Sequence, residues 1–413
     1  MEGIVLKRIC ILVLVLAICS SLALAETCAA EIQPIQYQPE EYAYAEYPFW
    51  PLSVEKWSDE AILIAGKNTM ETEKFSVAEM MLMGLDGKIL WQHEESDLPN
   101  ATQYNSAHRL DDETIAALQD ESNADSTGSC YVEWINADGL QQRSAPRSKS
   151  EMRLDRIIPN DQGMLLVSHA DYRSEDRSAA EPQTVIEQLD RDGQTIWTAN
   201  YAEYLILQGG LQNGENSILY GTESSGTSGG QSYQGIIMEI DSQGALVRKQ
   251  YSPEFERYTG GCLLADGSLL LIGNYAEPSK YSGVCRTNWN EFAWHTQLPA
   301  YAVDSDDADM KSDLATSVIP VQGDYLIAGM GLNYRGASAW LYRINDAGEI
   351  LRVDYVFNEQ IDNFEGCKLL DLNGNAYLLG YGMVDAGDLT VSWNEGKTMR
   401  DYARGFYLAK LDF

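Results

Sequence analysis

Five times along the chain a short apolar run ends in glycine: residues 61–66 (AILIAG), 217–221 (SILYG), 269–273 (LLLIG), 325–329 (YLIAG) and 376–380 (AYLLG). The closing glycines are Gly66, Gly221, Gly273, Gly329 and Gly380, and the steps between them are 155, 52, 56 and 51 residues. The first step is about three of the others, and two weaker copies, at 114–118 and 164–168, fill it. The chain therefore reads as seven copies of one unit, and a period near 50 residues marks a repeat architecture.

The content of a unit follows from its turns. In YTGGCLLADGSLLLIGNYAE, residues 258–277, two apolar runs meet at Ala265-Asp266-Gly267. A short apolar run hinged on Asp-Gly is a hairpin signal, because Asp and Gly tolerate the backbone angles of such turns. About 15 residues further on, most units carry a second pair of runs joined by a similar turn: 81–92 (MLMGLDGKILWQ), 131–143, 185–197, 236–251 and 339–355. The fifth unit is degenerate there (VCRTNWNEFAWHTQL) and the last stops at FYLAKLDF. The 24 Tyr, 9 Trp and 34 Gly agree with strands and tight turns. The expected fold is all-β, a seven-bladed β-propeller of four-stranded antiparallel blades. Solenoids are the competing repeat architecture, but they rarely use antiparallel four-strand units joined by Asp-Gly turns, and their end units look capped. One strand is missing from the last unit and one is spare ahead of the first. The ring is thus predicted to close by an N-terminal strand, 42–47, lying beside 406–411 and removing two exposed edges.

Runs such as LDRDGQTIW, EIDSQGALVRKQY and RINDAGEIL resemble the repeats of secreted bacterial propellers, the PQQ-like (quinoprotein-like) and related surface-protein repeats, within the broader WD40-like class. The resemblance covers residues 50–413 and implies a fold more than a chemistry. Quinoprotein dehydrogenases typically have eight blades, a Thr before the repeat Gly and often a vicinal Cys pair. Seven units are counted here, the Thr is missing and no two cysteines are adjacent, so no cofactor is carried over. Sialidase-type Asp boxes fail on spacing at Asp192-Gly193.

At the N-terminus, Lys7-Arg8 precede an apolar run over 9–25 that ends in Ala23-Leu24-Ala25, the pattern of a signal peptide cleaved after Ala25. The competing reading is a retained anchor, since about 17 residues is the lower edge of a bilayer span. The expected organisation is a signal peptide over 1–25, an exposed linker over 26–41 and a single propeller domain over 42–413. The predicted location is secreted or cell-surface. A net charge of -33, from 29 basic and 62 acidic residues, repels phosphate backbones and anionic membranes, which disfavours nucleic-acid partners. Cys28, Cys130, Cys262, Cys285 and Cys367 remain after the leader, an odd set that reads as small buried residues and not a disulfide framework.

One set of turns is short throughout (LDG, QNGEN, ADG, DSQG, NDAG, DLNGN). The other connections are long and varied: 119–129, 170–184, 222–234, 298–313 and 381–404. Long loops on a rigid scaffold gather binding residues, so the face bearing them is the expected working face. It carries Trp393, Arg400 and Tyr402 in the longest loop, and Tyr334 and Arg335 in another, aromatic and polar side chains suited to sugar or peptide contacts. Asp304, Asp306 and Asp309 alternate in a third loop and make calcium the candidate metal, set against a solvated acidic loop; the calcium-hand Gly and twelfth-position Glu are absent. Four histidines, His93, His108, His169 and His295, show no zinc spacing, although His108 and His169 fall near positions that face a central channel. No Gly-x-Ser-x-Gly elbow or phosphate loop occurs, and no catalytic residue is singled out. The expected function is an exported, monomeric binding module for a protein, peptide or glycan. The alternative is a carbohydrate-active or redox enzyme acting at the central channel.

Overall fold

The computed structural model describes residues 35–37, 42–46, 49–68, 76–95, 100–122, 128–148, 152–170, 183–225, 232–275, 281–299, 312–333, 336–356, 362–390 and 398–411. The structure below is that of the unit 36–413. Its described elements are strands, arranged as seven antiparallel blades. Among the described residues no helix is long and apolar enough to cross a membrane. The first strands, from blade 1 to blade 7, are Phe49–Lys56, Ala101–Arg109, Met152–Asn160, Tyr204–Asn213, Phe255–Leu263, Ser312–Val321 and Asp362–Leu372. These line the centre, and each blade steps outward strand by strand, as in Phe49–Lys56, Ala61–Asn68, Val77–Gly84 and Ile89–Glu95 of blade 1.

Blade 7 supplies only three strands from its own repeat. Its fourth is Tyr42–Glu46, which pairs antiparallel with Thr398–Leu411, from Tyr42 opposite Ala409 to Glu46 opposite Gly405. This is the predicted closure. It joins the two ends of the folded chain, and apolar residues complete the seam: Phe49, Ile62 and Met81 of blade 1 pack on Leu370, Leu379 and Leu408 of blade 7. Equivalent layers fill the other described junctions, for example Leu63 and Met80 with Tyr104 and Ala117, or Leu165 and Val167 with Leu207 and Leu219. Each fully buried Leu or Ile there contributes about 1.5–3 kcal/mol relative to exposure.

The conserved-looking spacing of the repeat glycine has a structural cause. Every first strand has a β-bulge at the same register, with Leu52, Asn105, Asp155, Gln208, Thr259, Thr316 and Cys367 as the unpaired residues. A bulge bends its strand towards the neighbour. The residue opposite the bend is Gly66, Gly221, Gly273, Gly329 or Gly380 in the five strong copies, and Gln119 or Ser168 in the two weak ones. A Cβ at Gly66, Gly221 or Gly273 would stand closer than 3.0 Å to a main-chain carbonyl oxygen of the bulged strand, that of Trp50, Ile206 or Arg257. The sequence marker is the imprint of the bulge.

The Leu-Asp-x-x-Gly-x-x-x-Trp pattern also resolves into contacts. Asp190, Asp241 and Asn345 each accept, through Oδ1, the N–H groups two and four residues on, which closes the turn between third and fourth strands. The turn glycine sits against an indole of the preceding blade: a Cβ on Gly244 would be 2.5 Å from Trp197, and one on Gly348 would be 2.6 Å from Trp294. Those indoles donate to carbonyls of the same turns, Trp197 to Ser242 and Trp294 to Asp346, both at 2.9 Å; Trp91 does the same to Ala137 at 3.2 Å. One repeat's Trp and the next repeat's turn are thus a single inter-blade lock. In degenerate blade 5 the turn still forms, with Trp289 taking the positive φ of 74° and Arg248 stacked on its ring at 4.1 Å.

Candidate functional site

The bulge that shapes each first strand also shapes the channel. Below the bulge level, towards the short-turn face, the seven first strands enclose a cavity of about 460 Å³. Its charged lining is Glu55, Lys56, His108, Arg156 and Lys368. The residue directly after each bulge is Ser53, Ser106, Arg156, Gly209, Gly260, Ser317 or Lys368, and all seven line the cavity. That register position is small everywhere except in blades 3 and 7, where it is cationic.

Glu55 and His108 lie one turn of the pleat nearer the short-turn face. His108 Nδ1 is 2.8 Å from Glu55 Oε2, across the junction of blades 1 and 2. Lys56 pairs with Asp59 at 2.6 Å. Neither Arg156 nor Lys368 has a hydrogen-bond or ion-pair partner among the described residues, and Arg156 Nε is buried as well as unbonded. Lys368 is exposed by surface area because the channel's solvent reaches it. Desolvation by the surrounding channel wall still pushes its pKa below the ordinary lysine value; Glu55 opposes that shift and Arg156 adds to it. Tyr220, which fills the space left by Gly209, is pushed up to about 12 by burial, against the pull of Arg156. Serine contributes too: Ser53 Oγ accepts the Ala107 N–H at 3.2 Å, while Ser106 Oγ is buried with no partner among the described residues.

A second polar cluster lies between blades 1 and 2, away from the channel. Ligand atoms of His93, Glu95 and Glu133 come within 4.8 Å of one another. Arg143 spans the two carboxylates, with Nε 2.6 Å from Glu133 and an ion pair to Glu95, and Tyr104 donates to Glu133 at 2.8 Å. Burial raises the Glu133 pKa against these partners, and burial lowers that of His93. With a guanidinium already bridging both carboxylates, the donor set suits a buried ion network and not a cation.

Of the residues read from sequence as binding candidates, Trp393, Tyr334 and Arg335, and the metal candidates Asp304, Asp306 and Asp309, lie outside the described residues. Arg400 and Tyr402 fall in the strand Thr398–Leu411, opposite Asp388 and Asp385 of Asn375–Thr390. The stretch 381–404, read as a loop, is therefore mostly a two-stranded ribbon. Its pairing runs on to Thr390 and Thr398, beyond Asp362 opposite Met383, where the first strand of the blade ends. The sequence lacks the apolar alternation that announces a strand there, and pairing propagated from the blade decides instead.

His108 does face the channel. His169 does not: it sits on the second strand of blade 3, buried, its ring centroid 5.2 Å from that of Tyr204. Sequence reading passed over Arg156 and Lys368. The signal was present, since both stand where the other copies have Ser or Gly, but it becomes visible only when repeats are aligned on the bulge.

No protein-family model and no curated protein matches this sequence. Among solved structures, the chain is similar to one from the mitotic checkpoint complex, at 10% identity and TM-score 0.51, covering 94% of this chain and 95% of that one. It also matches the β-propeller domain of the trilobed protease of Pyrococcus furiosus (10% identity, TM-score 0.46, 83% and 90% covered). A protein of unknown function from Dyadobacter fermentans matches too (10%, 0.46, 92% and 98%). At such identities the likeness concerns the fold alone.

Proposed function

We propose that this chain is an exported β-propeller that works as a binding module, engaging a protein, peptide or glycan through the face of long connections. The observation that supports this most is the ribbon of blade 7, which continues past the blade that supports it. A two-stranded ribbon is marginal in water by itself, and its edges, unpaired among the described residues, offer main-chain donors and acceptors to a partner. It also carries Arg400 and Tyr402 and leads to Trp393. The propeller in the mitotic checkpoint complex belongs to a protein assembly, which is the use this reading gives the scaffold. The signal-like leader over 9–25 supports export; mass spectrometry of the mature protein should then give a chain beginning at Glu26, and an unprocessed Met1 would refute that part.

The test uses labelled full chain on glycan and peptide arrays, beside a variant in which residues 384–403 are replaced by Gly-Asn. That replacement keeps the pairing of Met383 with Arg404. Binding by the parent that the variant loses, with an unchanged unfolding midpoint, is the expected result. Equal binding by both chains, or none by the parent on either array, would remove the ribbon from the interface.

A further inference from the structure

We propose that the half of the central channel nearest the short-turn face is a binding site for a small oxyanion, a phosphate or carboxylate compound, held by Arg156 and Lys368. This site is independent of the ribbon and lies on the other side of the bulge level. The chain carries a net charge of -33, so its surface repels anions at long range. Inside the channel the balance reverses. Lys56 is engaged by Asp59 and Glu55 is hydrogen-bonded to His108, which leaves Arg156 and Lys368 facing one cavity with Glu55 as the single carboxylate in its lining.

Cations placed so are unfavourable for the empty protein. Each repels the other, and neither has a hydrogen-bond or ion-pair partner among the described residues. An oxyanion between them supplies the missing acceptors and the missing charge, and guanidinium geometry matches two oxygens at once. Gly209 and Gly260 hold the position after the bulge in blades 4 and 5 and line the cavity with main chain, with Tyr220 packed against Gly209. A volume of about 460 Å³ is that of a small-molecule site, too small for a polymer and large for an ion alone.

Isothermal calorimetry on the full chain tests this, with sodium phosphate in one arm and sodium succinate in the other, at constant ionic strength set with sodium chloride. Saturable one-to-one heat in either arm is expected, and the arm that responds identifies the acidic group. Lys368→Gln and Arg156→Gln should each weaken binding at least about tenfold, the scale of a charge-assisted hydrogen bond. Lys88→Gln, at a surface pair with Asp86, should leave it unchanged. Lys368 is solvent-exposed, so its variant keeps the fold and carries the test even where Arg156→Gln does not. No saturable heat in either arm, or full affinity in Lys368→Gln, overturns the proposal.

Discussion

Replacing the repeat glycines by alanine should separate them into two classes, and the division follows from the bulge. At Gly66, Gly221 and Gly273 the new Cβ would stand closer than 3.0 Å to a carbonyl oxygen of the bulged strand; at Gly329 its nearest neighbour is Leu314 O at 3.3 Å. A main-chain oxygen inside a barrel of packed strands cannot swing aside as a side chain does. The first strand must move by several tenths of an ångström or more, and strain of this kind in a close-packed interior costs about 1–3 kcal/mol. Alanine also restricts the unfolded chain, which returns about 0.4–1 kcal/mol. The net expectation is a loss of about 1–2 kcal/mol for Gly66→Ala, Gly221→Ala and Gly273→Ala, and a change between zero and slight stabilisation for Gly329→Ala. Unfolding entropy of about 2.1 cal/mol/K per residue makes this only one to two degrees of melting temperature in so long a chain, so the assay is urea unfolding followed by tryptophan fluorescence. Midpoints are compared at a shared slope. If Gly329→Ala proves as damaging as the other three, or if all four are neutral, close approach at the bulge is not what selects glycine.

Starting the chain at Phe49 removes the fourth strand of blade 7 and bares the edge of Thr398–Leu411, and it also takes away Ile35–Tyr37, which pairs with Ile350–Val356 of blade 6; for the five residue pairs lost at the closure, urea unfolding should show about 3–5 kcal/mol of destabilisation, at roughly 1 kcal/mol per hydrogen bond. An unchanged midpoint would mean the closure contributes nothing. Lys368→Met should stabilise the ligand-free protein near neutral pH while abolishing anion binding. The wild-type folded pKa lies below 10.5, so between the two values the unfolded chain holds a proton that the folded one lacks, and wild-type stability rises with pH. The variant's advantage should therefore shrink towards pH 10.5, and a gap that widened instead would reverse the sign of the argument. Burial pushes the thiols of Cys262 and Cys285 up to about 11 and about 12, so iodoacetamide at pH 8 should label neither in the native protein and both after denaturation, as read by peptide mass spectrometry.

The candidate site was legible only in part. Lys368 in EGCKLL and Arg156 in LDRII look, in one dimension, like polar residues interrupting apolar strands. Their meaning depends on the extra residue that each first strand inserts, because a bulge shifts which side chains face the centre, and nothing local to the chain announces a bulge whose cause lies in ring geometry. The same holds for Gln119 and Ser168, which made two repeats look weak. Both stand opposite the bend and carry side chains there, so glycine is favoured at that position without being required by it.

Periodicity and turn chemistry, both local properties, determined the rest. Apolar runs ending in glycine at intervals near 52, with Asp-x-x-Gly turns whose carboxylates cap their own backbone, specify four-stranded blades and their number. The missing last strand and the spare first one specify closure, because an unpaired edge is unfavourable wherever it falls. Only the tertiary structure decided that each tryptophan belongs to the turn of the next blade. It alone turned residues 381–390 and 398–404 from loop into ribbon and brought two cations from blades 3 and 7 into one cavity. Those contacts join residues tens to hundreds of positions apart, and their partners are chosen by the closing of the ring, which no window of sequence contains.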